Sequence, residues 1–255
     1  MLATLITGAA PVPLLPAYRE QELRHVLKMV RPRVMAMTKG NRRFSAVGVA
    51  STVSREEGLD VVLGLIDEPD NGDNSDWLAL REFCSASCDN ASAHELRATQ
   101  MGAEDTAMML LSSGTTGLPK PIARKNAGYS YMIAEACRVF ELSHSSSYLA
   151  VLPISHGFVI NCPGILGTLL CGGTVVLSPD TSAQTALRLI TNHEVTHSTL
   201  VPALLAQWLD RVNQQGIAPL TLRHIQVGGS RLPADLAALA ESKLGMRIQQ
   251  CYGMS

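Results

Sequence analysis

Aromatic residues are scarce in this chain, making up 4% of its 255 residues. Binding single-stranded nucleic acid needs aromatic platforms on which bases stack, and this composition offers few. Charge is thin as well, at 17%, and the two signs nearly cancel to −1, which leaves no basic footprint for a phosphate backbone. Six cysteines are too few for a disulfide framework in a chain of 255 residues. No charge precedes Arg19, so a secretory signal lacks its basic start, and Gly8, Pro11, Pro13 and Pro16 break the apolar stretch that a spanning helix would need. Heptads, fixed-period repeats and low-complexity tails are missing too. These absences predict a cytoplasmic protein with neither nucleic acid nor membrane as partner.

The chain is rich instead in apolar residues, a 46% fraction dominated by Ala, Leu, Val and Ile, over a length that suits one large domain or two small ones. Near the amino end, the pattern predicts a buried helix over residues 2–7, a turn at Gly8 and a buried strand over 12–15. Leu23, Val26, Leu27 and Val30 recur at helical spacing, which predicts a helix over 19–30, with strands next at 33–37 and 60–66. Residues 67–105 carry ten acidic against two basic residues and are rich in Ser, Asn and Gly, the mark of an acidic surface excursion with one short helix over 75–83.

From residue 106 the rhythm is regular. Strands are predicted at 106–111, 148–152, 174–177, 196–201, 223–227 and 247–251, with helices at 127–142, 182–192, 202–213 and 233–243. Strands alternating with helices of this length predict an α/β fold of parallel-rich sheets layered with helices. The expected organisation is a partial amino-terminal α/β subdomain over 1–105 and a second α/β subdomain over 106–255.

The strongest local signal is Ser-Ser-Gly-Thr-Thr-Gly-Leu-Pro-Lys over residues 112–120, directly after an apolar strand. Glycines let the backbone turn tightly with amides facing inward, four hydroxyls add donors, and Lys120 adds a point charge. That chemistry surrounds phosphate oxygens. It is not the loop that opens a helix in P-loop enzymes, because Pro119 prevents a helix there and no Ser or Thr comes after Lys120.

This segment resembles the phosphate loop of the adenylate-forming enzymes, which include acyl-CoA synthetases, luciferases and peptide-synthetase adenylation domains. Val201-Pro202 after a strand, residues 226–232 (Gln-Val-Gly-Gly-Ser-Arg-Leu) and residues 249–255 (Gln-Gln-Cys-Tyr-Gly-Met-Ser) are similar to three further family segments. Residues 152–158 (Leu-Pro-Ile-Ser-His-Gly-Phe), together with Cys162-Pro163-Gly164, resemble the acid-binding segment of the siderophore-type ligases that activate 2,3-dihydroxybenzoate or salicylate. The resemblance implies ATP-dependent activation of a carboxylic acid, with Mg²⁺, and transfer to a carrier-protein phosphopantetheine or CoA. It implies that Ser112, Ser113, Gly114, Thr115, Thr116, Gly117 and Lys120 hold the triphosphate, with Thr116 also touching Mg²⁺. Gly228, Gly229, Ser230 and Gly253 would line the adenine and Tyr252 would stack on it. His156 would sit by the reacting carboxylate, with Gly157, Phe158, Asn161 and Cys162 lining the acid pocket. On this basis Lys120, Thr116 and His156 are the expected catalytic residues.

Some positions depart from the family pattern. Gly157 stands where aryl-acid ligases usually place an Asn that touches an ortho hydroxyl, Asn126 takes the place of a usual His, and Pro121 that of a usual Gly. Cys162, where dihydroxybenzoate enzymes tend to have Ser, leans toward an acid lacking the second hydroxyl. Two alternatives stay open: a CoA ligase for an aliphatic or alicyclic acid, and a non-catalytic remnant that binds nucleotide or a partner protein. The resemblance covers this chain but not a whole family protein. An incomplete large amino-terminal domain is therefore expected, one that does not complete adenylation by itself. The family's metal-binding Glu, ribose-binding Asp and carboxy-terminal catalytic Lys fall beyond Ser255, and Met1 falls inside a family helix.

His193-Glu194-Val195-Thr196-His197 fits the zinc-protease pattern, which requires both imidazoles on one face of one helix. Here residues 192–193 are expected to end a helix and the β-branched residues after them to form a strand, so the two rings would not converge. Cys84 and Cys88 lack a second ligand pair, Cys137 and Cys171 are expected core fillers, and Trp77 and Trp208 are expected to pack helices. His25, His94, His144 and His224 have no partner in sequence and are expected to be structural.

Overall fold

A computed structural model of the chain describes residues 1–38, 45–66, 77–79, 101–112, 117–216 and 221–253. They fall into two compact units, Met1–Arg124 and Lys125–Ser255. Residues 106–124 thus group with the first unit, whereas the sequence rhythm assigns them to the second.

The first unit opens with α1 (Leu2–Ile6) and α2 (Glu20–Val30). Next come β1 (Val34–Met37), α3 (Ala46–Glu56), β2 (Val62–Leu65) and β3 (Trp77–Ala79), and β4 (Thr106–Leu111) and β5 (Pro121–Lys125) close the series. Strands β1, β2 and β3 form a parallel sheet in that order, with Val34 opposite Val62 and Leu63 opposite Trp77. Leu23 and Leu27 of α2 pack with Val47, Ala50 and Val53 of α3 and with Met35, Met37 and Leu63 of the sheet. Arg24 bridges Glu20 and Glu56, and Lys28 meets Glu57 at 2.7 Å, so ion pairs tie the outer faces of α2 and α3.

Three expectations change here. Helix α1 buries none of its residues, and Leu2 and Ile6 stay exposed. No strand forms over 12–15, because the surrounding prolines lack the N–H that a ladder requires. The segment still meets β4 through one bond, from the Met109 N–H to the Pro11 carbonyl at 3.0 Å. Within the expected helix over 75–83, Trp77–Ala79 is instead a strand on the edge of β2, and the rest of that span lies outside the described residues. Pairing with β2 satisfies the backbone of these three residues.

The second unit contains α4 (Asn126–Val139), β6 (Ser147–Ala150), α5 (Gly157–Asn161), α6 (Gly164–Leu170) and β7 (Thr174–Leu177). It continues with α7 (Ala183–Asn192), β8 (His197–Leu200), α8 (Pro202–Gln215), β9 (His224–Val227), α9 (Ala234–Leu244) and β10 (Arg247–Gln250). The strands form one sheet in the order β10-β9-β8-β6-β7, and every pair is parallel. Alternation splits β6 between two cores. Leu149 faces α7, α8 and α9 with Ile190, Leu200, Leu205, Trp208 and Ile225. Tyr148 and Ala150 face the other side with Phe140, Val159 and Ile165. Trp208 is fully buried in the larger core, as expected for a residue packing a helix. Among the described residues, no helix is long and apolar enough to cross a membrane.

The His-Glu-x-x-His pattern is divided between two elements: His193 caps the end of α7 and His197 begins β8. His197 stacks on His224 of the neighbouring strand, with ring centroids 5.0 Å apart and planes 8° from parallel. Its Nε2–H donates to the Phe140 carbonyl at 3.1 Å, which leaves Nδ1 to accept from the Thr196 hydroxyl at 2.7 Å. Glu141 faces His224 at 3.6 Å and is held by Arg247 at 2.7 Å. Burial, then the neighbouring His224, pushes the His197 imidazole down to about 4 from 6.5, and burial lowers His224 as well. The folded chain therefore resists protons that the unfolded chain accepts, so stability drops as pH falls from about 6.5 toward about 4. The loss from His197 alone is on the order of 3 kcal/mol. Urea titrations at pH 7 and pH 5 should show a lower midpoint at pH 5, and His197→Gln should shrink that difference.

Candidate functional site

Ser112 and Lys120 close the neck of the phosphate-loop segment in the first unit. The Ser112 N–H donates to the Lys120 carbonyl and the Lys120 N–H donates to Ser112 Oγ, both at 3.0 Å. Strands β4 and β5 pair on either side of this neck. Ser112 thus spends its oxygen on the neck and keeps its hydroxyl proton as a donor. The Lys120 side chain is exposed, and nothing lies within 4 Å of where a Gly117 side chain would begin. Ser113, Gly114, Thr115 and Thr116 lie outside the described residues.

Parallel strands deliver their carboxyl ends to one edge of a sheet, and ligands of open α/β sheets sit beyond that edge. In the second unit, β8 leads into Val201, β9 into Gly228-Gly229 and β10 into Cys251-Tyr252. The loops stay registered because the ladder runs past the strands. The Gly228 N–H donates to the Leu200 carbonyl at 3.1 Å, and the Cys251 N–H to the Val227 carbonyl at 2.9 Å. Gly229 adopts φ +82°, a conformation that side chains rarely allow, and a Cβ there would lie 3.2 Å from Val201 Cγ1.

The acid segment comes after β6. His156 caps α5, and its Nδ1 accepts the Phe158 N–H at 3.2 Å. That bond assigns the remaining proton of the neutral ring to Nε2, which stays free as a donor. Partial burial of the imidazole, although its residue opens to solvent, holds its pKa below the ordinary value. Phe158 reaches across to β9. A Cβ on Gly228 would lie 2.8 Å from Phe158 Cζ and 2.8 Å from Cys251 Sγ, so the missing side chain is the space those two groups fill. Cys162 lies one turn beyond Phe158, is half-buried, and raises the Cys251 thiol, whose pKa burial pushes up to about 12. Behind this wall, Gly164 at φ +48° passes so close to the Val159 carbonyl that a Cβ would overlap it at 1.9 Å.

The structure thus brings Phe158, Gly228 and Cys251 into one cluster, with Cys162 beside it. Gly229 borders Val201, while Ser230, Tyr252 and Gly253 are exposed beside them. Tyr252 is 93% exposed. Asn161 is placed differently from these. It is buried at 4% exposure, its Nδ2 reaches the Met132 sulfur of α4 at 3.9 Å, and its Oδ1 has no partner. Its shown contact supports the segment from α4. Cys251 and Val201 lie inside segments that the sequence picks out, but their places in the wall are not expected from it. Each is the first residue after a parallel strand.

Among the described residues, no group of three or more His, Cys, Asp or Glu side chains could hold a metal ion. Mg²⁺ needs no such cage when it rides on phosphates, since it keeps several waters and takes one or two protein oxygens. Thr116, the expected protein oxygen, is outside the described residues.

The family model described as AMP-binding enzyme matches residues 1–255. The chain is 38% identical, over all of its length, to a 2-hydroxy-7-methoxy-5-methyl-1-naphthoate–CoA ligase of Streptomyces carzinostaticus, of which it covers 46%. It is 36% identical, again over its whole length, to a salicylyl-CoA synthase/salicylate adenylyltransferase of Streptomyces sp, of which it also covers 46%. Among solved structures, the apo structure of MbtA from Mycobacterium smegmatis superposes with a TM-score of 0.81 at 31% identity, covering 99% of this chain and 44% of MbtA. The chain therefore spans a little under half the length of each of these proteins. With the family model matched from end to end, on top of a parallel sheet whose strand ends gather the glycine, aromatic and histidine segments, this chain belongs to the AMP-binding enzyme family.

Proposed function

We propose that this chain carries the nucleotide and acid segments of an enzyme that activates an aryl carboxylic acid with ATP. One carboxylate oxygen attacks the α-phosphorus, the bond to pyrophosphate breaks, and the acyl-adenylate passes its acyl group to a thiol of CoA or a carrier protein. The observation that carries this reading is the packing of Phe158 and Cys251 into the space left by Gly228. It gives the acid segment a flat aromatic wall directly beside the glycine pair proposed to flank adenine. An acid and an adenylate held on adjoining backbone segments meet with little loss of orientation.

Each group has a proposed task. His156 Nε2–H donates to the carboxylate and orients it. Tyr252 stacks on adenine, with Gly228, Gly229, Ser230 and Gly253 against its edge. Ser112 to Gly117 and Lys120 hold the phosphates, Lys120 through a charge-assisted contact. Thr116 supplies an oxygen to Mg²⁺, which neutralises phosphate charge when bound. The relatives act on naphthoate and salicylate, both aryl acids, which favours an aryl over an aliphatic substrate. Gly157 removes a side chain from the pocket and, with it, a partner for an ortho hydroxyl. The pocket therefore favours a bulkier or less hydroxylated ring than 2,3-dihydroxybenzoate, and the bicyclic acid of the first relative agrees.

ATP–pyrophosphate exchange by the full-length enzyme carrying this chain, across benzoic, salicylic, 2,3-dihydroxybenzoic and hydroxynaphthoic acids, tests this reading. Benzoate, which lacks the ortho hydroxyl, should exceed dihydroxybenzoate by about tenfold, because a buried ortho hydroxyl without a partner costs about 1–3 kcal/mol. Gly157→Asn should narrow that gap, and dihydroxybenzoate as the best acid by tenfold would refute the reading. Lys120→Ala should lower exchange more than tenfold while the thermal midpoint stays within a few degrees, since an exposed ammonium contributes little packing. Gly228→Ala should raise KM for the acid about tenfold with a smaller effect on KM for ATP, because its methyl displaces Phe158.

A further inference from the structure

Gly167 of α6 marks a second place where a missing side chain is filled by a neighbour. A Cβ there would lie 2.7 Å from Cys137 Sγ of α4 and 2.5 Å from Pro163 Cβ. The Cys171 N–H donates to the Gly167 carbonyl at 3.0 Å, so residues 167 and 171 are one helical turn apart on the same face. Helical side chains lean toward the amino end of their helix, which aims the Cys171 thiol back over Gly167, where Cys137 already sits. Burial pushes the Cys137 thiol up to about 12, and the nearby Cys171 thiol adds to the rise. Both are free cysteines, Cys137 buried and Cys171 half-buried at the end of its helix. The sequence alone assigns them only a packing role.

We infer that Cys137 and Cys171 form an intrachain disulfide when the protein meets a disulfide oxidant such as glutathione disulfide. The inference stands independently of the proposed adenylation reaction. The half-buried Cys171, as thiolate, attacks one sulfur of the oxidant and expels one glutathione thiolate. Cys137, as thiolate, then attacks Cys171 Sγ, forms the protein S–S bond and expels the second glutathione thiolate. The two cysteine protons end on two molecules of glutathione, so the protein dithiol is oxidised and the oxidant reduced. A thiol held mostly protonated is a slow attacker, so the second step is slow at neutral pH and the pair stays reduced without sustained oxidant. The bond would tie the end of α6 to α4. Pro163, which packs on the same spot as Cys137, is the residue directly after Cys162, so oxidation would fix the back of the acid segment.

The test is non-reducing peptide mapping by mass spectrometry after the chain is incubated with glutathione disulfide. The expected product joins the peptides carrying Cys137 and Cys171, and its thermal midpoint rises by about 5–10 °C, an increase that dithiothreitol reverses. Cys137→Ser should leave Cys171 as a mixed disulfide with glutathione, and Cys171→Ser should leave Cys137 unmodified. A folded protein in which Cys137 and Cys171 stay unlinked under conditions that modify Cys171 would overturn the inference. So would a map dominated by a Cys162–Cys251 bond. The map of the unsubstituted chain decides the matter even where a variant fails to fold.

Discussion

The parallel ladder of the second unit is the constraint on which the site depends. Each strand must return to the same end of the sheet before the next begins, so helices carry the chain back and every strand leaves at one edge. That edge collects residues far apart in sequence: His156 after β6, Val201 after β8, Gly228 after β9 and Cys251 after β10. Backbone bonds from Gly228 to Leu200 and from Cys251 to Val227 extend the ladder one rung into the loops. The loops therefore inherit the positional precision of the sheet. Close approach then does the rest, because Gly228 lets an aromatic ring rest where a side chain would otherwise stand.

The opposite edge of the same sheet has another character. Where β8 and β9 begin, His197 and His224 stack beneath Phe140, and Glu141 and Arg247 close the rim. Two imidazoles in contact tolerate burial only while neutral, since each proton would lose water and meet the other ring's charge. The sheet thus carries the groups proposed to bind acid and adenine at its carboxyl edge and an acid-sensitive foundation at its amino edge.

Much of this is legible in the sequence, for physical reasons. Strands β6 and β7 announce themselves because they lie in apolar or β-branched runs, and α7 and α8 carry 3.6-residue periodicity. Helix α3 is hidden because Val47, Val49, Thr52 and Val53 favour strands; its stability comes from packing Val47, Ala50 and Val53 against α2, which no local signal records. Residues 12–15 deceive in the other direction, apolar enough for a strand yet unable to donate to one. At the site, glycines and the histidine are visible as types, whereas the contact of Phe158 with Gly228 and Cys251 is not. It joins residues from different strands, and only the sheet order brings them together.

His156 has a consequence for reactivity. Its Nδ1 is committed to the Phe158 N–H, and partial burial disfavours its protonated form, so in the proposed reaction the ring would offer the carboxylate a neutral N–H. A cation in that place would pull electron density out of the oxygen that has to attack. A neutral donor aims the carboxylate while leaving its lone pairs nearly as nucleophilic as in solution, so alignment is gained without blunting the attacking atom.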